Sequence, residues 1–416
     1  VYISLRNSPE NATTPRASTT ARVSSVVITL GIVSMLTDIS SESVSAILPL
    51  YVTGVLGLTT IAYGFLDGLY QGVSALVRIA AGWASDTGGH PKWVAMLGYG
   101  LSAIARVGFL FASGFGALTA VITADRIGKG IRTAPRDAMI SEASERQNLG
   151  RSFGVHRMLD TVGAAIGPLL AFVILLVIPG GYSTVFVVSL AFAVLGVAVL
   201  GLMVPGRARS RPAATDRRPR FRWSQLRDPR LRRLLVAAGL FGLLAIGDGF
   251  IYLLLASRGA FAAEWFPLFY VGTNVAFLAL AIPFGRLADR LGRARIFVVG
   301  QLLLLAAYVA AAVPVSGPVI AITCLLLLGG FYAATDGILA ALAAEFTPPE
   351  AVATGIAAAQ TVVAVARLIA ATGFGVLWYA FGREPAVIVA SLALALVIPV
   401  GAALLLRGSR TAPEAP

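Results

Sequence analysis

Two carboxylates, Asp38 and Glu42, stand one helical turn apart in an otherwise small and apolar stretch, "SMLTDISSESVSAILPL". Some ninety residues on, "DRIGKGIRTAPRDAMISEA" (Asp125 to Ala143) gathers Arg126, Lys129, Arg132 and Arg136 around Asp125 and Asp137. A carboxylate facing a cation can exchange that partner for a proton or for a charged solute, so proton and solute compete for one site. Asp125, Lys129, Arg132 and Arg136 step by 4, 3 and 4 positions and share a helical face. Arg126 points about 100° away from Asp125 on the same geometry. The partners expected for Arg126 and Lys129 are therefore Asp38 and Glu42. Asp38, Glu42 and Arg126 are the candidates for proton coupling. The same groups can also be read as a static ion-pair cluster that fixes helix packing. Further charged and polar groups in apolar surroundings are Asp67, Tyr70, Gln71, Asp248 and Arg367, which with Lys129 are candidates for lining a solute cavity.

Other chemistries are excluded by residue type. "GKG" at Gly128–Gly130 lacks the glycine five positions earlier and the Ser/Thr after the lysine that a phosphate loop needs. With two histidines and one cysteine, Cys324, there is no metal-ligand spacing and no Ser/His/Asp set. No cofactor, no metal and no enzymatic activity are expected.

The elements that must position these charges are membrane helices. The 416 residues are 57% hydrophobic and 13% charged, and apolar runs of helix-spanning length recur along the whole chain. Twelve are expected: 24–53, 59–84, 92–114, 116–138, 152–178, 183–205, 231–257, 264–288, 295–315, 317–343, 352–381 and 385–406. The fold class is thus an all-α membrane protein. The formal net charge of +13 does not point to nucleic acid, because eleven arginines crowd between Arg207 and Arg233 while the loops near 54–58, 113–116 and 179–182 carry no basic residue. This is the positive-inside pattern, which places both termini and the middle loop in the cytoplasm and lets the basic residues meet lipid headgroups. The first apolar run reads as an uncleaved anchor. The organisation expected is a cytoplasmic tail at 1–23, six spans at 24–205, a basic linker at 206–230, six spans at 231–406 and a second tail at 407–416.

The two halves echo each other. "GWASDTGGHPK" after the second span matches "GRLADRLGRAR" after the eighth, each with an aspartate, Asp86 or Asp289, four positions after a glycine. "SMLTDIS" aligns Asp38 with Asp248 in "LLAIGDGF", and "RDAMISEA" aligns Asp137 with Asp336 in "TDGILAAL". On these loops, on the twelve spans and on the long middle linker, the chain resembles the major facilitator superfamily of transporters. Arg126 and Gly130 fall where that superfamily has a second, fourth-span signature, whose arginine is associated with proton coupling in drug/proton antiporters. "GAAIGPLLAF" in the fifth span matches the antiporter motif at Gly163, Gly167 and Pro168. The resemblance implies two pseudo-symmetric six-helix bundles and alternating access. It implies gating by Asp86, Arg132, Asp289, Arg290, Gly163, Gly167 and Pro168, with the starts of the eleventh and fifth helices, near Thr354 and Arg151, as acceptors for the two aspartates.

The reading that follows is a secondary transporter of the bacterial inner membrane, a monomer, exporting a small organic solute against protons. The alternative is an importer or exchanger of an organic anion held by Arg126, Lys129 and Arg132. A receptor or membrane enzyme would need a catalytic constellation or a soluble domain, and neither is visible in the sequence.

Overall fold

In lipid a backbone amide has no water to bond, so long apolar segments satisfy their own N–H and C=O groups as helices. The computed structural model follows this throughout, and describes residues 23–88, 90–145, 148–206, 228–258, 261–347 and 352–409. The expected N-terminal tail and most of the basic linker lie outside the described residues.

The first six helices are α1 (Ser25–Leu50), α2 (Thr60–Gly88), α3 (Pro91–Phe111), α4 (Phe115–Glu142), α5 (Leu149–Val177) and α6 (Tyr182–Met203). There follow α7 (Pro229–Gly242), α8 (Asp248–Ser257), α9 (Phe266–Leu291), α10 (Arg293–Ala312), α11 (Pro318–Glu345), α12 (Val352–Phe381) and α13 (Arg383–Ser409). Each expected apolar run is occupied by helix, with one departure: the run 231–257 is split into α7 and α8. Among the described residues, nine helices are long and apolar enough to cross a membrane. The α4 helix is long enough too, but its charges, among them Asp125, Arg126, Lys129 and Arg132, keep it below that apolarity.

The split has a physical support. Residues 243–247 leave the helix with backbone groups to satisfy. The fully buried Tyr308 of α10 meets two of them: its hydroxyl accepts from the Ile246 N–H at 2.9 Å and donates to the Leu244 carbonyl at 3.0 Å. The turn from α9 to α10 needs a different device. Gly292 takes φ +98°, a left-handed conformation that side chains resist, so the chain reverses within one residue after Asp289 and Arg290.

Packing repeats between the halves. In the first, α1 packs on α5 and α6, α3 on α4 and α6, and α2 on α4. In the second, α7 packs on α12 and α13, α10 on α11 and α13, and α9 on α11. The halves meet through α2 against α12 and α5 against α9, which are the same pairing with the halves exchanged. Glycine sets the closeness of several contacts. A Cβ added at Gly163 or Gly167 of α5 would run into α1 backbone, at 2.9 Å from the Met35 Cα and the Ile39 carbonyl oxygen respectively.

The α2–α12 seam is graded along its length. Gly64, Gly68 and Gly72 face α12 one turn apart. A Cβ at Gly72 would stand 3.3 Å from the Ala364 carbonyl oxygen, one at Gly68 2.9 Å from that of Leu368, and one at Gly64 closer still to that of Ala371. The two helices are tightest at the Thr60 end and part toward the other. Aromatic rings close the same end: Phe250 of α8 meets Tyr63 of α2 and Phe374 of α12 edge to face at 4.8 and 4.9 Å, and Trp378 of α12 at a tilt at 5.5 Å. At that end, too, Phe172 of α5 meets Trp265 at 5.8 Å, just ahead of α9.

Candidate functional site

The α1 helix is rich in small hydroxyls and bonds to several of the helices around it. Ser40 meets Ser189 of α6 at 2.9 Å and accepts from the Arg106 Nε of α3 at 3.2 Å. Tyr70 of α2 donates to the Ser41 carbonyl at 3.1 Å, and Ser34 pairs with His156 of α5 at 3.1 Å. With these bonds made, Asp38 and Glu42 share a half-buried face of α1. Lys129 of α4 lies near enough to both to act on their charge, and Asp160 of α5 lies beside Asp38. Asp160 also holds Arg157 at 3.4 Å. Among the described residues Lys129 forms no ion pair, so this part of the cluster is near enough to interact and is not locked.

Arg126 behaves otherwise than its sequence position suggests. It is 2% exposed, bonds to Asp125 on its own helix and lies over the Tyr70 ring at 3.7 Å. Asp125 is held from the other side by Arg106 at 3.0 Å. The expected partners Asp38 and Glu42 are therefore not its ligands: the backbone vectors of Asp125 and Arg126 diverge, but a guanidinium is long enough to curl back. Arg132, expected at a gate, is 4% exposed inside the first half, donating to Ser102 of α3 at 2.8 Å and lying over Tyr99 at 4.7 Å. Gly167 packs directly beneath Glu42, whose Cβ is 3.0 Å from where a Cβ at 167 would stand, and Pro168 is buried beside it.

The residues of the two matching loops divide. Asp289 pairs at 3.6 Å with Arg293, which also holds Glu345 of α11 at 3.2 Å, and Arg290 is exposed. Asp289 thus bonds within its own half rather than to the start of α5, as fits helices parted at that end. The Asp86 side chain lies outside the described residues.

The second half holds its own charged set around the α7–α8 break. Asp248 opens α8 and accepts from the Tyr332 hydroxyl of α11 at 2.9 Å. Tyr63 and Asp67 of α2 straddle the break and fill the places where Gly249 and Gly247 have no side chain. The Asp67 Oδ2 atom is buried there without a hydrogen-bond partner among the described residues. Arg367 of α12 lies near both acids, with its guanidinium 5.8 Å from the Tyr332 ring centre.

Between the halves is a cavity of about 620 Å³. Its polar lining comes from Gln71 and Arg157 of the first half and Gln301, Asp336, Gln360 and Arg367 of the second. Sequence reasoning reached Gln71 and Arg367 as cavity residues and missed Gln301, although a lone amide in "IFVVGQLLLLAA" was a usable signal. The arrangement can hold and release charged groups by ion pairing and hydrogen bonding. Among the described residues no cluster of three metal-ligating side chains occurs.

A family model described as the Major Facilitator Superfamily matches residues 30–371 and 260–416. The chain is 30% identical over 285 residues to an uncharacterized MFS-type transporter of Methanocaldococcus jannaschii, which covers 67% of this chain and 69% of that one. It is 31% identical over 144 residues to an uncharacterized protein of Mycobacterium tuberculosis, 34% of this chain and 35% of the other. Among solved structures, the nucleoside transporter NupG matches with a TM-score of 0.76 at 14% identity, over 91% of this chain and 99% of that one. A POT family transporter in complex with 5-aminolevulinic acid matches at 0.78 and 13%, over 93% and 97%. A bacterial homolog of the human lysosomal transporter Spinster, inward-facing and occupied, matches at 0.75 and 16%, over 93% and 97%. At these identities the structures speak for the fold, and the family model for descent: this chain is an integral membrane protein that transports solutes rather than an enzyme, and it belongs to the Major Facilitator Superfamily.

Proposed function

We propose that this protein is a proton-coupled secondary transporter that exports a small organic solute by alternating access. The observation that carries the reading is the cavity between the halves, shut by the α2–α12 seam and its aromatic rings at one end and bordered by unlocked charges. In this reading α7 and α8 form one discontinuous crossing, so the chain crosses twelve times as two six-helix bundles, 24–205 and 231–406, joined by the basic linker at 206–230. Both termini lie in the cytoplasm of a bacterial cell, the closed end is external and the chain works as a monomer.

Asp38 and Glu42, with Asp160 beside them, are the coupling groups: carboxylates this close to one another need a proton or a cation between them, and Lys129 is the cation that a proton displaces. Arg126 holds Asp125 and thereby shapes the site. Gly163, Gly167 and Pro168 seat α5 on α1 beneath Glu42, which supports the drug/proton antiporter branch. The anion-exchange reading has less support, because Arg126 and Arg132 already have other partners.

The test is reconstitution in liposomes with an imposed pH gradient and a screen of cationic, neutral, zwitterionic and anionic solutes for flux. Gradient-driven movement of at least one solute, lost in Asp38→Asn or Glu42→Gln, supports the reading. Full gradient-driven flux in both variants overturns the assignment of the coupling groups.

A further inference from the structure

Among the described residues, the cavity contains three groups without an ion-pair or hydrogen-bond partner, and each calls for a different one. Gln301 of α10 is 2% exposed, yet its Oε1 atom accepts no hydrogen bond. A buried amide oxygen left bare is costly, and the shortfall asks for an N–H or O–H donor from whatever fills the space. The hydroxyl beside it cannot supply one, since Thr335 donates to the Phe331 carbonyl of its own helix at 2.7 Å. Arg367 is half-buried and, among the described residues, makes neither an ion pair nor a hydrogen bond. The Tyr332 hydroxyl near it is already given to Asp248. Asp336, on the α11 face that also carries Tyr332, has no ion pair either, although Arg367 and Arg157 are its nearest charges. The same space thus shows an unpaired cation, an unpaired anion and an unpaired acceptor. Gln71, Gln360 and Arg157 add polar lining, and Phe241, Phe277, Phe297 and Phe331 supply an apolar part of the wall.

A purely anionic solute would meet the bare carboxylate of Asp336. A purely cationic one would meet Arg367 and Arg157. A solute carrying both charges satisfies the half-buried Arg367 and the exposed Asp336 together. We propose that the α10–α12 wall of this cavity is the seat of a zwitterionic solute of amino-acid to dipeptide size, its carboxylate on Arg367, its ammonium on Asp336 and an N–H on Gln301 Oε1. This rests on the transport reading above and narrows it to a substrate class. A guanidinium grips a carboxylate through two parallel hydrogen bonds, so Arg367 sets orientation as well as charge. The phenylalanines take the solute's side chains. The cavity's volume lies within the ordinary range for small-molecule sites, roughly 300–1,000 Å³.

The test uses the full chain in liposomes and measures counterflow of phenylalanyl-alanine, its C-terminal amide and its N-acetyl form, which are zwitterion, cation and anion of nearly one shape. The zwitterion should exchange, and each blocked form should be slower by about tenfold or more. Arg367→Gln should bring the zwitterion down to the rate of the amide, and Asp336→Asn should bring it down to that of the N-acetyl form. Gln301→Leu should slow the zwitterion while leaving the size-exclusion profile and the unfolding temperature in place. Equal exchange of the zwitterion and its amide by the unaltered protein overturns the proposal, as does unchanged exchange in Arg367→Gln. If none of the three exchanges, the zwitterion seat falls. The transport reading is then judged separately, by whether a single cysteine at Ala245 still changes its labelling rate with an imposed pH gradient.

Discussion

At the scale of single residues, the charges of this protein fall into locked and unlocked sets, and the two should respond differently to mutation. Asp125, Arg106 and Arg126 are buried together, so Arg106→Ala removes one of two cations from a carboxylate that cannot reach water. Breaking a buried pair costs about 3–5 kcal/mol, and a large fall in the unfolding temperature in detergent is expected. Lys129 has no such bond, and Lys129→Gln should leave that temperature nearly unchanged while altering the pH dependence of flux. An equal fall in both variants would remove the distinction. Asp67 offers a second case. Its Oδ2 lies against Gly247 without a donor and close to Asp248, so Asp67→Asn, which deletes a like charge at constant shape, should hold or raise the unfolding temperature. A clear drop would mean that the oxygen has a partner after all. These assignments mark the limit of sequence reading at this scale. The presence of a charged fourth helix opposite Asp38 and Glu42 was legible, because charge is conspicuous in an apolar chain. Who binds whom was not, because an arginine's reach exceeds the angular offset between neighbouring residues. Gln301 was missed for a different reason: its signal, a lone amide in an apolar run, is fainter than a charge, although it was there to be read.

At the scale of elements, the helices were legible in place and order, with ends a few residues off, since lipid leaves the backbone no other way to bond. The α7–α8 break was not. Nothing local forces it: the stretch "FGLLAIGDG" has no proline, and the break is held by Tyr308 from another helix and filled by Asp67 from the other half. Tyr308→Phe, which removes only the hydroxyl, should therefore destabilise by about 1–3 kcal/mol, measured by thermal unfolding. A change within error would show that the freed amide finds another acceptor-donor partner. The α2–α12 seam makes a positional forecast. Gly64→Leu places a side chain where backbone already stands, whereas Gly72→Leu enters the wider end. A cysteine at Thr60 should become readily labelled from outside in the first variant and not in the second. The native Cys324 is fully buried, so it contributes little background.

At the scale of the whole molecule, the repeated pairing of helices in the two halves makes orientation a single testable property. Ala262→Cys precedes α9 and Leu291→Cys ends it, and both positions are exposed. An impermeant thiol reagent applied to intact cells should reach the first and spare the second, and the reverse would invert the topology argued from the arginines. The unpaired charges of the cavity have one more consequence, for what the carrier does when empty. Arg367 and Asp336 are tolerable while the cavity is open and wet. Closing it around nothing would strip both of water, at an effective penalty of several kcal/mol for each ion. A bound solute of matching charge cancels that penalty, and so does a direct Arg367–Asp336 contact if the helices can bring them together. Where they cannot, the vacant carrier stalls, and slippage without cargo is suppressed by electrostatics alone. Exchange of labelled for unlabelled solute should then run faster than net release from loaded vesicles, and Arg367→Gln with Asp336→Asn in one chain should erase that difference.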